Sequence, residues 1–258
     1  MSLDSIVDDR GARLIENMSA VGWNGMEAAF RELQRSHPLF DNVQRGPLMV
    51  TILGSGAVAG AAGLAATRYG DQDLRARMVA RGVRGVEVTL IDHDLTWDER
   101  YLRTRLQRTD VLVDATRRRE PTQPIIRNAW IDFLPEHAVI LDLAADPYDF
   151  SVSPPVVKGI EGIPQGNLDH FVFRVDDRAY EELSSHVDTS HRRVALSCYS
   201  WPGIHPRQCM EHYEGQLEPM MEVVLSRPPD GWELMSDNHI ERAIKRAEVT
   251  TWAQLSIA

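Results

Sequence analysis

The sequence predicts an α/β protein built on a parallel sheet with helices on both faces. Three observations carry that reading. Short apolar runs rich in β-branched residues recur at 48–53 (LMVTIL), 86–92 (VEVTLID), 110–115 (DVLVDA), 138–144 (AVILDLA) and 194–200 (VALSCYS). The stretches between the first few runs have helical periodicity, and alternation of strand with helix favours parallel pairing through crossover helices. The first run also ends abruptly in Gly54-Ser55-Gly56, a sequence suited to a sharp strand-to-helix turn.

Taken in order, the first element is an amphipathic helix. Leu14, Ile15, Met18, Val21, Met26, Ala29, Phe30 and Leu33 recur close to the helical period. His37-Pro38 and Gly46-Pro47 interrupt the chain before the first strand. A helix is expected over 57–69, a shorter one in DQDLRARMVARG, and a charged one ending near Arg108. The stretch 151–193 begins as a loop and then fits strand and helix equally well. After the strand at 194–200 the chain breaks at Trp201-Pro202-Gly203. Met210, Tyr213, Leu217, Met220 and Met221 predict a helix from Pro206, with another in the tail. The expected division is an N-terminal helix and linker (1–47), a sheet domain (48–207) and a C-terminal helical segment (208–258).

Composition narrows the function classes. The chain has 258 residues, of which 43% are apolar and 26% charged, as in ordinary globular proteins. Its 28 basic and 38 acidic residues give a net charge of −10, which repels phosphate backbones and anionic lipid heads, so nucleic acid is not an expected partner. Two cysteines make no disulfide framework, and the acidic N-terminus lacks the basic and apolar regions of a signal peptide. The expected location is therefore the cytoplasm. Leu48–Thr67 has no charged side chain and contains a GxxxG, yet its glycines, alanines, serine and threonines leave it only mildly hydrophobic; no membrane span is expected.

The Gly54-x-Gly56-x-x-Ala59 turn carries the most specific chemistry. In a strand–turn–helix unit the first glycine allows the tight turn, the second lets a pyrophosphate approach the backbone, and the small third residue brings helix and strand together. Backbone amides of Gly54, Ser55, Gly56, Ala57, Val58 and Ala59 would then face a diphosphate. The motif is that of a Rossmann-type, doubly wound parallel sheet that binds a dinucleotide. No Lys-Ser/Thr pair follows, so a Walker P-loop is excluded. Asp92 ends the next strand, where an acid can accept hydrogen bonds from a ribose, although it lies 38 residues beyond Gly54 against about 20 in the usual unit. Asp92 and Asp94 would repel a 2′-phosphate, favouring NAD over NADP. The alternatives are a small-residue packing contact for the turn and a solvated strand-end acid for Asp92.

Three segments surround this turn in a telling order: NMSAVGWNGMEAAF (17–30), DVLVDATRRREPTQPIIRNAWIDFLPEHAVILDLAAD (110–146) and CYSWPGIHPRQCMEHYEGQLEPMMEVVL (198–225). Together they resemble the nucleotide-binding part of the alanine dehydrogenase and pyridine nucleotide transhydrogenase family, and lysine-forming saccharopine dehydrogenases are similar too. The resemblance implies hydride transfer between NAD(H) and an amino acid or its imine, with a small-molecule amino acid or 2-oxo acid as substrate, in a cleft shared with a second domain. It implies that Ala145 and Asp146 lie beside nicotinamide and substrate, with Asp146 catalytic, that Ala115 and Thr116 run along the adenosine side, and that Pro202 and Gly203 form the loop near the nicotinamide. His205, in the same loop, is the histidine placed to exchange a proton. The family also associates through its nucleotide domains, so a homo-oligomer or a partner substrate domain is expected.

The chain departs from that family in two respects. The family's substrate-binding lysine and catalytic histidine precede the N-terminal helix, and this chain begins almost at that helix. The expectation is a nucleotide-binding domain separated from its substrate domain. Arg117, Arg118 and Arg119 stand where the alanine enzymes are apolar, as a solvated loop or as a grip on carboxylates. Cys198, His205, Cys209 and His212 have zinc-binding chemistry, but their spacing fits no common finger and no metal is expected. Two other classes stay open: an NAD-binding or assembly module without chemistry, and an S-adenosylmethionine-dependent methyltransferase, which would also use a glycine turn and a strand-end acid.

Overall fold

The structure is a computed structural model, and it describes residues 3–118, 120–226 and 228–248. Arg119 and the end of the tail lie outside the described residues. The chain forms two compact units: one runs from Met18 to Ile204, and a smaller one joins the chain up to Asn17 with the chain from His205.

The larger unit contains α1 (Met18–Ser36), β1 (Leu48–Leu53), α2 (Ala57–Ala66), α3 (Gln72–Ala80), β2 (Val86–Ile91), α4 (Glu99–Leu106), β3 (Val111–Asp114), α5 (Asn128–Ile131), β4 (Val139–Asp142), β5 (Val172–Phe173), α6 (Arg178–Leu183) and β6 (Val194–Ser197). Its six strands lie in the order β2-β1-β3-β4-β6-β5. All neighbours are parallel except β5, which pairs antiparallel with β6. The chain leaves β1 toward one side, builds β2, then crosses to the other side for β3. The topological switch point therefore lies between β1 and β3, at the carboxyl ends of both. This is the doubly wound, Rossmann-type sheet that the alternating runs predict.

Strand alternation explains the two covered faces. Val50, Ile52, Val111, Val113, Val139, Leu141 and Leu196 face one core with Met26, Phe30, Ala59 and Ala62 of α1 and α2. Leu53, Leu112, Ile140 and Ala195 face the other with Leu102, Leu106, Ile131 and Tyr180 of α4, α5 and α6. Helix α1 approaches closely because two of its residues have no side chain. A Cβ on Gly22 would stand 2.6 Å from Ala62 N, and one on Gly25 would stand 2.4 Å from a Leu143 methyl. The short β5 and α6, inside the stretch where strand and helix fitted equally, close one edge of the sheet.

The smaller unit has its own core, in which Ile6, Ile15, Met220, Val223, Trp232, Ala243 and Ile244 are buried around α7 (Pro206–Ser226) and α8 (His239–Arg246). Asp9 pairs with Arg242 and Arg246, and those guanidinium groups hold its carboxyl at about 2. Among the described residues, no helix is long and apolar enough to cross a membrane.

Candidate functional site

The turn after β1 has the local structure that its glycines require. Gly54 sits at φ +102°, a conformation that L side chains rarely adopt, and a Cβ there would lie 2.8 Å from the Ala115 carbonyl oxygen. The turn is thus pressed against the chain just after β3. Gly56 caps α2 with extended backbone and no side-chain hydrogen bond, and a Cβ there would meet nothing within 4 Å. Residues 55–57 are exposed. The first amides of α2 therefore carry the helix's positive end into open space, an arrangement suited to an anion.

The strand-end acid stands beside this turn. Ser55 Oγ donates to Asp92 Oδ1 at 3.0 Å, just past the end of β2. The His93 backbone, then Ser55, hold the Asp92 carboxyl below its ordinary range. His93 lies between the Asp92 and Asp94 carboxylates, at 3.7 and 2.9 Å. An exposed, ionised carboxylate next to a helix N-terminus can accept hydrogen bonds from vicinal hydroxyls while the helix holds a phosphate.

Further along the same edge the residues are buried and polar. The register aligns Ile91, Leu53, Asp114, Asp142 and Ser197 in one row across five strands. Asp114, Asp142 and Ser197 are buried on the α4–α6 face. Lys158, itself 1% exposed, reaches this row from the loop after β4. Its ammonium donates to Asp142 Oδ2 at 2.8 Å and to the Asp146 carbonyl at 2.9 Å. Ser197 Oγ donates to the same Asp142 oxygen, and Ala145 N donates to the other at 2.8 Å. Asp114 accepts two bonds from Thr116 on one oxygen. Burial, followed by the neighbouring Asp142 charge, pushes its carboxyl up to about 6.

Asp146 follows this row. Its carboxylate is paired with Arg118 at 3.0 Å, and Ala145 before it sits at φ +53°. Arg118 is not part of a solvated loop: its side chain is 5% exposed and also donates to the carbonyls of Pro121, Gln123 and Val157. Its Nε is buried without a partner. Pro202 and Gly203 form a short 3-10 turn whose first residue, Trp201, donates its indole N–H to the Asp142 carbonyl at 2.8 Å. One strand edge therefore gathers Gly54–Ala59, Asp92, Ala115, Thr116, Ala145, Asp146, Pro202 and Gly203. His205 belongs to the smaller unit.

No protein-family model matches the chain, and no curated protein matches it. Among solved structures it is similar to a dipicolinate synthase subunit from Bacillus halodurans, at 16% identity over 84% of this chain and 59% of that one, with a TM-score of 0.37. It is also similar to a Salmonella D-lactate dehydrogenase (12% identity, 80% of this chain and 66% of that one, TM-score 0.36). A third is the NAD-complexed D-isomer specific 2-hydroxyacid dehydrogenase from Lactobacillus delbrueckii ssp. bulgaricus (11%, 82% and 69%, TM-score 0.37). The chain spans 59% of the length of the first and 66% of the second. The strand order, not these likenesses, defines the fold.

Sequence reasoning missed Lys158 and the Asp114–Asp142–Ser197 row; for Arg118 it offered a grip on carboxylates beside a solvated loop, and the carboxylate it holds is the chain's own Asp146. The signal available was an aspartate closing each of two consecutive apolar runs, VLVD and VILD. Among the described residues, neither of the two groups of clustered ligand-type side chains includes Cys198, His205, Cys209 or His212. One of the two, His37, Asp110 and His137, brings ligand-type atoms within 4.8 Å of one another. His37 Nδ1 accepts the Leu39 amide at 3.0 Å, so its hydrogen resides on Nε2, the nitrogen facing Asp110. A metal would need that lone pair, whereas a ligating histidine donates from its other nitrogen. The cluster is a clasp in which Asp110 bonds His137 at 2.7 Å and His37 stands 3.8 Å from the same oxygen.

Proposed function

We propose that the sheet unit binds NAD(H), in the cytoplasm, and serves as the nucleotide-binding half of an oxidoreductase that moves hydride between the nicotinamide and an amino acid or its imine. The observation that carries the reading is the turn: a left-handed Gly54 packed on Ala115, an open Gly56 before uncapped helix amides, and Asp92 tied to the turn through Ser55. The diphosphate would rest on the amides of Ser55–Ala59, where a side chain at position 56 would fill its space. Asp92 would accept from the adenosine ribose, and with Asp94 it disfavours a 2′-phosphate. The bound nicotinamide supplies a hydride acceptor or donor; this chain's residues bind it, orient it and exclude water along the Asp114–Asp146 edge.

The amino-acid substrate is supported by the resemblance of segments 17–30, 110–146 and 198–225. Asp146 would orient the substrate amine or accept its proton. A second reading, a nucleotide-binding module without chemistry, has one observation in its favour: the Asp146 carboxylate is already paired with Arg118.

NADH fluorescence titration tests the proposal. The expected result is binding by the wild type and weaker binding of NADPH. Gly56→Val should stay folded, with only the modest stability cost of a poorer N-cap, and bind NADH at least about 10-fold more weakly, because a Cβ there meets no protein atom within 4 Å and enters ligand space. No NADH binding, or equal binding by Gly56→Val, would overturn it. Heat released by S-adenosylmethionine instead would assign the turn to a methyltransferase. NADH formation with alanine, or with lysine plus a 2-oxo acid, separates the dehydrogenase from the binding module.

A further inference from the structure

We infer that a second copy of this chain docks on the open edge of β2, the two strands pairing antiparallel about a two-fold axis through Val88. The proposal does not rest on the cofactor reading, but it uses Asp92, which that reading places at the ribose, and it therefore concerns the nucleotide-free chain. β2 is the last strand on its side of the sheet. In the common dinucleotide-binding order a third strand covers that edge. The carbonyls of Gly85 and Ile91 accept from β1, so the odd-numbered residues of this strand direct their main chain inward. Val86, Val88 and Leu90 direct theirs outward, and among the described residues nothing bonds to them. The edge has none of the usual guards: residues 86–91 contain no Lys, no Pro and one charge, Glu87.

The face above this edge is apolar. Val88 and Leu90 approach Gly63 of α2, their methyls 3.7 and 3.8 Å from where its Cβ would stand. Leu90 is 44% exposed and Leu64, the next residue of α2, 56%. A second strand laid along β2 would extend the hydrophobic surface that these side chains leave open.

Charge selects a second copy as the occupant and fixes its register. The strand is flanked by an exposed Arg84 before it and an exposed Asp92 after it. With Val88 opposite Val88, Val86 faces Leu90, Glu87 faces Thr89, and Arg84 faces Asp92, each pair occurring twice by symmetry. Slipping the partner by two residues sets Asp92 against Val86 instead and loses both ion pairs. The Arg84 carbonyl already accepts from Tyr69 and the Asp92 carbonyl from Leu95 N, so the new ladder runs from 86 to 90 and ends in side-chain contacts.

Sedimentation equilibrium of the nucleotide-free chain tests this. The wild type should have twice the mass of one chain at micromolar concentration. Arg84→Asp and Asp92→Arg should each sediment as folded monomers, since each sets like charges together at both ends. Mixed in equal amounts they should recover a dimer, because every end then pairs opposite charges. Leu90→Lys, which changes no ion pair, should weaken association at least about 10-fold. Hydrogen exchange at Val86 and Val88 should be at least about 10-fold slower in the wild-type dimer than in that variant. A wild-type monomer up to about 100 μM, a dimer indifferent to all three substitutions, or folded single variants that stay monomeric when mixed would each overturn the inference.

Discussion

The two edges of the sheet use similar residues to opposite ends. At the amino edge, Asp110 accepts the Met49 amide at 2.7 Å on one oxygen and His137 at 2.7 Å on the other, with His37 packed beside them. At the carboxyl edge, α2 begins without a side-chain cap, Ala145 is held in a left-handed conformation, and Asp142 and Asp146 pair with a buried lysine and a buried arginine. Polar groups at the first edge close on one another and join strands. At the second edge some close on one another and others stay open beside the switch point, where doubly wound sheets place ligands. The same residue types serve cohesion where they are paired and recognition where they are left open.

The largest expected effect would break that contrast at its ionic centre. Lys158→Met leaves the Asp142 carboxylate buried with its ammonium partner gone, and should cost roughly 3–5 kcal/mol in urea unfolding. Adding Asp142→Asn removes the stranded charge and keeps an acceptor for Ala145 N, so the double variant should regain much of the loss. At the amino edge, Asp110→Asn still accepts the Met49 amide and should cost only about 1 kcal/mol. Equal losses at both edges would erase the distinction.

Next in size is Gly54→Ala. Its left-handed φ and its contact with the Ala115 carbonyl both oppose a methyl, and the expected loss is about 1–3 kcal/mol together with loss of NADH binding. Gly56→Val should lose binding with only the smaller stability cost of a poorer N-cap. The pair of variants separates the residue that shapes the turn from the one that leaves room above it.

The edges should also respond oppositely to pH. Burial, then the His137 charge, lowers His37 below its ordinary 6.5, with Asp110 opposing and Arg45 adding to the shift. The unfolded chain takes that proton first, so this contribution to stability is lost as pH falls below about 6.5. Asp114 has the reverse sign. Its folded value is about 6 against an ordinary 3.8, so the folded chain keeps the proton longer, and stability falls as pH rises between those values. His37→Asn, which can still accept from Leu39 N, should flatten the acid side. Asp114→Asn should raise stability above pH 6 by about 1 kcal/mol. Urea midpoints measured across pH check both slopes.

These contrasts also mark what the sequence could disclose. The glycine turn was legible because a left-handed residue after a strand, with an open position two residues on, nearly demands glycine. Asp92 was legible because its position follows from the strand's end, even with an added helix, α3, before that strand. The strands at 111–114 and 139–142 were legible from apolar runs, but the joint burial of their terminal aspartates depends on register, which no single segment encodes. Lys158 was illegible: it lies in a loop without periodicity, and its partners come from other segments. Arg118 sat in a run of arginines that reads equally as a solvated loop or a grip on carboxylates, and only the fold turns it inward onto Asp146. The brief β5 and α6 are fixed by packing at the sheet's edge, not by their own pattern.

The smallest expected effect tests whether the carboxyl edge carries strain. Ala145 holds φ +53° while its amide donates to Asp142, a conformation that costs an L residue about 1–2 kcal/mol. Glycine adopts it freely but loses more entropy on folding, a cost of roughly 0.5–1 kcal/mol. Ala145→Gly should therefore stabilise the unit by up to about 1 kcal/mol, read as a higher urea midpoint. The methyl stands one residue before Asp146, so its removal also loosens the segment that aims that carboxylate at Arg118. If stability rises while NADH affinity falls, the left-handed turn serves to position Asp146; if both rise, Asp146 needs no such restraint and Arg118 alone fixes it.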